Sequence, residues 1–202
     1  GHVYGLGNQG VIEGRIFPNI ILVDDFPKDE TTDKSLVDRF TYGLDFGFTN
    51  DPTAVVKIAI VGDDLFIQEL VYERALTNDM IVARLHENLI STSDIIIADS
   101  ADPKSIKEIS NKGFTILGAQ KGPDSVKHGI DTMKRYNIKL LNDSLNLIRE
   151  MRSYVWMTNK DADELNKPAD RQDDHAIDAA RYAAQQVIAP EIGEMTEFIW
   201  NE

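Results

Sequence analysis

The chain has 202 residues, enough for one domain with a sizeable core, and its 42% hydrophobic and 27% charged content is ordinary for a globular protein. It has no cysteine, which excludes disulfides and thiolate metal sites, and no apolar run approaches the roughly 20 residues needed to cross a bilayer. A formal net charge of −13 argues against a binder that relies on overall attraction to nucleic acid. Yet residues 104–139 carry eight basic and three acidic residues, a local +5 within an acidic chain. Such a segment suits contact with a phosphate backbone, because local field matters more than net charge. Helices with solvated lysines are the plain alternative.

The chain opens Gly1-His2 with neither Met nor a signal-peptide pattern, as a fragment or processed product would. Residues 1–40, with Gly, Pro and an acidic-polar run from Asp24 to Asp33, predict an irregular arm or linker. Tyr42 to Phe48 reads as a strand. Asn50-Asp51-Pro52 makes a turn, the β-branched Thr53 to Val61 a second strand, and Leu65 to Tyr72 returns after Gly62-Asp63-Asp64. Three antiparallel strands in a meander are therefore expected.

Thr77 or Asn78 caps a predicted helix reaching about Ile90. Asp94 to Asp99 is a continuous apolar run closed by an acid, the mark of a strand buried on both faces. A short helix from Pro103, ended by Gly113, follows. Phe114 to Leu117 is a strand, Pro123 to Tyr136 a helix, Ile138 to Leu141 a short strand, and Leu145 to Met151 a helix. Tyr154 to Met157 is extended, residues 158–171 read as a polar loop, and Gln172 to Ile188 as the last long helix. This order predicts an α/β fold with a mixed sheet over 41–190, followed by an acidic tail, 191–202.

The chemistry concentrates at three places. Asp45 lies inside an apolar strand, where a carboxylate is expensive to bury without a metal or strong hydrogen bonds, and Gly43 and Gly47 leave room for a close ligand. Asp99 ends an apolar strand, at the carboxyl edge where α/β sheets place ligands; Asp102, just before Pro103, is the better N-cap. In the last helix Asp174 and Asp178 stack at i, i+4, with His175 and Arg181 flanking them. That repulsion is relieved by a bound cation, or by an Asp178–Arg181 pair on a solvated face. Hard oxygen donors from three separated elements would suit a divalent cation.

An Asp on the first strand of a meander, an Asp ending the fourth strand and a carboxylate on a late helix resemble the site of the ribonuclease H-like nucleases. The stretches between are more specific. Gly43-Leu44-Asp45-Phe46-Gly47, Asn50-Asp51-Pro52-Thr53-Ala54, Ile97 to Pro103, Lys121 to Ile130, Glu150 to Trp156, Pro168-Ala169-Asp170 and Asp174 to Tyr182 are similar, in order, to the nuclease domain of tailed-phage terminase large subunits. The resemblance runs from about residue 4 to 188. It implies a metal-dependent endonuclease that cuts concatemeric viral DNA with little sequence specificity, using two Mg²⁺ or Mn²⁺ ions. It places the metals on Asp45 and Asp99, with the third position at Asp178, then His175, then Asp174; Asp45, Asp99, Asp178 and His175 are the implied catalytic groups. Lys121 and Lys127 are the candidate DNA-backbone contacts.

The implied partners are double-stranded DNA, the portal protein, the terminase small subunit and the ATPase domain of the full-length protein, in the cytoplasm of a bacterial host and away from membranes. No Gly-x4-Gly-Lys-Ser/Thr loop occurs, so ATP hydrolysis is not expected and residues 1–40 read as the arm from a motor. Trp156 and Trp200 could stack on bases, although a Trp in an apolar stretch is more often core. His2, His86 and His128 have no acidic partner at ligand spacing. Three other readings stay open: a non-catalytic DNA or portal docking module, a resolvase or recombinase on the same triad, and an actin-like ATPase, which would need a second lobe.

Overall fold

The computed structural model describes residues 14–188. Nine strands occur there: β1 (Ile21–Val23), β2 (Arg39–Asp45), β3 (Thr53–Val61), β4 (Asp64–Glu73), β5 (Ile95–Ala98), β6 (Thr115–Gly118), β7 (Asn137–Leu141), β8 (Trp156–Thr158) and β9 (Glu164–Pro168). The helices are α1 (Asn78–Glu87), α2 (Pro103–Asn111), α3 (Ser125–Met133), α4 (Leu145–Ser153) and α5 (His175–Val187). Seven strands form one mixed sheet in the order β1-β7-β4-β3-β2-β5-β6; β8 and β9 form a separate hairpin. The β2-β3-β4 meander is antiparallel and the remaining pairings in the large sheet are parallel.

The centre of the sheet is buried on both faces, so β3 is apolar almost throughout rather than alternating. On one face Val56, Ile58 and Ile67 pack beneath Ile130 of α3, Leu147 and Met151 of α4 and the Ala-rich side of α5. On the other, Leu44, Val55 and Val71 pack beneath Ile81 and Leu85 of α1 and Ile109 of α2. Thr77 caps α1 by accepting from the Met80 N–H, and Asp102 caps α2 by accepting from Ser105. This is a ribonuclease H-like arrangement, with helices on both faces of a mixed sheet.

Two features set the site. β2 and β5 lie side by side and parallel, with Leu44 opposite Ala98, and the Asp99 N–H donates to the Leu44 carbonyl at 3.1 Å. Asp45 and Asp99 therefore leave the sheet as neighbours at its carboxyl edge. α5 crosses β2 at Gly43, where a Cβ would stand 1.8 Å from the Ala179 carbonyl oxygen. The space at Gly43 is taken by the helix backbone rather than by a ligand. At Gly47 a Cβ would meet the Asp51 carbonyl oxygen at 2.2 Å, so that glycine closes its own turn.

Two expectations need correction. Within 1–40, Ile16 and Phe17 are core residues, β1 adds a parallel edge strand to β7, and β2 begins at Arg39. Three residues are too few to show a period, and this edge strand is held by its neighbour rather than by its own pattern. The polar stretch 158–171 holds β9, whose mostly exposed residues carry no apolar alternation. Residues 1–13 and the acidic tail 191–202 lie outside the described residues.

Candidate metal centre

Asp45 ends β2, is 7% exposed, and holds its Oδ2 3.4 Å from Nδ1 of His175, the first residue of α5. The other ring nitrogen of His175 lies 3.7 Å from Asp51 Oδ1, on the turn that Gly47 closes, and the ring of Tyr72 meets it edge-on. Asp99 follows β5; its Oδ1 accepts from the Ala101 N–H and lies 2.6 Å from Lys121 Nζ. Lys121 is brought there by the β6–α3 loop, which Gln185 of α5 pins by exchanging two hydrogen bonds with the backbone of Gln120. Asp178, in the first turn of α5, is held at 3.1 Å by Arg181. This is the pair foreseen for a solvated face, but Arg181 is buried, its stem lying across Gly129 of α3.

The electrostatics show too much negative charge for the cations present. Burial pushes the Asp45 carboxyl up to about 6, Asp178 and Asp99 add to this, and the His175 hydrogen bond opposes it. Asp174, the N-cap of α5, is pushed up to about 7 by burial and then by Asp178. Asp178 is itself raised by burial against the pull of Arg181. His175 rises to about 9, chiefly through its hydrogen bond to Asp45, so the two form an ion pair at neutral pH.

The donor chemistry fits a hard divalent cation: carboxylate oxygens from β2, the β5–α2 loop and α5 act on one another's charge at the sheet edge. As they stand, no three acidic or imidazole groups among the described residues form a ready ligand cluster. Asp45, Asp99 and Asp178 instead each touch a cation of the chain, His175, Lys121 and Arg181 respectively. Beside them opens a cleft of about 600 Å³, lined in part by Asp51, Tyr154, Arg171, Asp174, His175 and Asp178.

The two lysines expected at DNA are both engaged. Lys121 is on Asp99, and Lys127 forms a 2.8 Å pair with Asp131 and lies over the half-buried Trp156 ring. His86 packs on Phe114, while His2 and Trp200 lie outside the described residues. Asp51, Gly129 and Glu150 escaped the sequence reading as parts of this site. Asp51 looked like a turn residue, and the partners of Gly129 and Glu150 lie more than 20 residues away. Only the Glu150 charge, on the same helix turn as the apolar Leu147, Ile148 and Met151, offered a signal.

The family model for the terminase RNase H-like domain matches residues 45–186. The PBSX phage terminase large subunit of Bacillus subtilis is 32% identical over 161 residues, covering 78% of this chain and 36% of the relative. The terminase large subunit of Bacillus phage SPP1 is 35% identical over 161 residues, covering 74% of this chain and 36% of the relative. This chain thus spans about a third of the length of these curated relatives. Among solved structures, the nuclease domain of the SPP1 large terminase with bound Mn superposes with a TM-score of 0.71 at 29% identity, covering 84% of this chain and 97% of that one. The large terminase of a thermophilic bacteriophage shares the fold, with a TM-score of 0.66 at 19% identity over 88% of this chain and 46% of that one. The chain belongs to the terminase RNase H-like domain family.

Proposed function

We propose that the chain is a divalent-metal-dependent DNA endonuclease domain that cuts concatemeric viral DNA during genome packaging. The observation that carries this reading is the convergence of Asp45, Asp99 and Asp178 at one sheet edge, with Asp45 and Asp178 pushed above the usual carboxylate range. The Mn bound by the nuclease domain of the SPP1 relative supports a divalent ion in this domain. Asp45 and Asp99 would bind the ions, two in the active complex, with Asp178 as the third position and His175 and then Asp174 behind it; Mg²⁺ and Mn²⁺ both suit the oxygen donors. When bound, such ions polarise the phosphodiester and activate water.

The protein supplies position and charge. Asp45 and Asp99 are held by adjacent strands, so their separation is set by sheet hydrogen bonds. Arg181 fixes Asp178 from beneath. His175, between Asp45 and Asp51, is placed to move a proton through Nδ1 or Nε2. Lys121 exchanges its contact with Asp99 for a DNA phosphate once that carboxylate is otherwise neutralised, and Lys127 contacts the backbone farther along. In the hydrolysis, water oxygen bonds to phosphorus, the bond to the 3′ oxygen breaks, and that oxygen takes a proton, leaving a 5′ phosphate and a 3′ hydroxyl. Sequence preference is weak because no base-reading element accompanies the site among the described residues. The wider setting is that of the family: the host cytoplasm, with double-stranded DNA, portal protein, terminase small subunit and the ATPase domain of the full-length protein as partners.

Cleavage of supercoiled plasmid tests this with Mn²⁺, Mg²⁺, Ca²⁺ or chelator, for the wild type beside Asp45→Ala and Asp99→Ala. Cutting with Mn²⁺ or Mg²⁺ that either substitution abolishes, with circular dichroism unchanged, supports the proposal. No cutting with any metal and no metal bound would favour a docking module.

A further inference from the structure

Glu150 is a fully buried carboxylate on α4 whose hydrogen bonds go to Tyr72, Ala176 and Ile177 rather than to Asp45, Asp99 or Asp178. Burying a charged group is unfavourable unless donors surround it. Here they do. Oε1 accepts from the backbone N–H of Ala176 at 2.9 Å and of Ile177 at 3.1 Å, and Oε2 accepts from the Tyr72 hydroxyl at 2.6 Å. The first two donors are the unpaired N–H groups at the start of α5. A helix usually satisfies these with its own N-cap side chain, but Asp174 makes no such bond. The cap is supplied instead from another helix, and its negative charge suits the positive end of the α5 dipole.

This cap lies where the metal centre needs rigidity. The capped amides belong to the two residues between His175 and Asp178. Tyr72, bonded to Glu150, sets its ring edge-on against the His175 imidazole, with centroids 6.3 Å apart. Arg149, the next residue on α4, donates to the Tyr72 oxygen at 3.3 Å and to Asp173 at 2.8 Å. Two adjacent residues of α4 thus grip the chain on both sides of His175.

We infer that Glu150 is a positioning residue for the metal centre: with Tyr72 it fixes the first turn of α5, and through it the ligand atoms of His175 and Asp178. The inference rests on the metal-dependent reading above. A purely structural cap would affect stability alone; a positioning residue affects metal affinity beyond its effect on stability. Outer groups that orient metal ligands typically change affinity 10–100-fold when removed.

The test is Mn²⁺ titration by calorimetry, with thermal melts, for the wild type, Glu150→Ala, Glu150→Gln, Tyr72→Phe and the core control Leu147→Ala. Glu150→Ala is expected to bind Mn²⁺ about 10–100-fold more weakly, and Tyr72→Phe several-fold more weakly with a loss of Tm no larger than that of Leu147→Ala. Glu150→Gln keeps a carbonyl oxygen for the two N–H groups and should recover most of the affinity. Leu147→Ala should lower Tm without a matching loss of affinity. If Glu150→Ala is too unstable to titrate, Tyr72→Phe and Glu150→Gln carry the comparison. Wild-type affinity in Glu150→Ala and Tyr72→Phe, or losses that merely track Tm as in Leu147→Ala, would overturn the inference. A wild type that binds no Mn²⁺ would instead overturn the metal-dependent reading itself, and this inference with it.

Discussion

Gly129 occupies the middle of α3, where alanine is ordinarily the better residue by about 0.5–1 kcal/mol. In this chain Gly129→Ala should be destabilising. The added methyl would stand 2.6 Å from Arg181 Cγ and 2.9 Å from Cδ, closer than real contacts allow. Those atoms are the stem of a side chain only 7% exposed, and its guanidinium is tied to Asp178 at 3.1 Å. The stem cannot yield without moving the guanidinium, whose Nε already lacks a hydrogen-bond partner among the described residues. Overpacking of this kind costs about 1–3 kcal/mol, which in mid-range outweighs the helix gain and leaves a net loss of up to about 2.5 kcal/mol. For a chain of this size that lowers Tm by up to roughly 10 °C. Drawing Arg181 away also leaves Asp178 harder to ionise, so Mn²⁺ affinity should fall. Thermal melts and calorimetry read both effects. A rise in Tm with unchanged Mn²⁺ affinity would refute the argument.

Stability of the metal-free protein should fall as pH rises from about 4 to 9, the carboxyls acting over the lower part of that range and His175 over the upper part. The Asp45 and Asp174 carboxyls, raised to about 6 and about 7, favour the fold while protonated, and His175, raised to about 9, does so while charged. Each contribution is present below the unfolded pKa and is lost as pH rises through the folded one, so urea midpoints at constant ionic strength should decline over this range; Mn²⁺ affinity should rise over it instead, because the ligands must be deprotonated. Lys121→Ala removes the ammonium from Asp99, and since a half-exposed pair contributes at most about 1 kcal/mol, Mn²⁺ should bind up to about 5-fold more tightly. Weaker binding would show that Lys121 supports the site rather than competing for it. The stretch 158–171, which includes β9 and ends beside the cleft, is a candidate restraint on cutting. Replacing residues 159–163 with a two-residue turn should raise the nicking rate of plasmid in Mn²⁺, and an unchanged rate would count against that role.

Much of this was legible because the informative residues break a local pattern. β3 and β5 announce themselves as apolar runs, and Asp45 and Asp99 stand out as charges at the ends of such runs. The spacing of Asp174, His175, Asp178 and Arg181 showed which groups share a helix side. It could not show that this side faces inward, because that follows from how closely α5 approaches Gly43. The engagement of Lys121 with Asp99 depends on a loop pinned from α5, and the Glu150 cap joins residues 26 apart. Such contacts arise from packing and leave no periodic trace. The edge strand β1 and the exposed strand β9 failed to show for the opposite reason: neither buries enough surface to need an apolar pattern.

The central claim is that Asp45, Asp99 and Asp178 converge to hold divalent metal. Anomalous diffraction from crystals soaked in Mn²⁺ tests it most directly. The account predicts a Mn peak in contact with Asp45 and Asp99, with Asp178 or His175 alongside and Lys121 displaced from Asp99. A fully soaked crystal with no peak at that sheet edge, and with the Lys121–Asp99 pair intact, would contradict it.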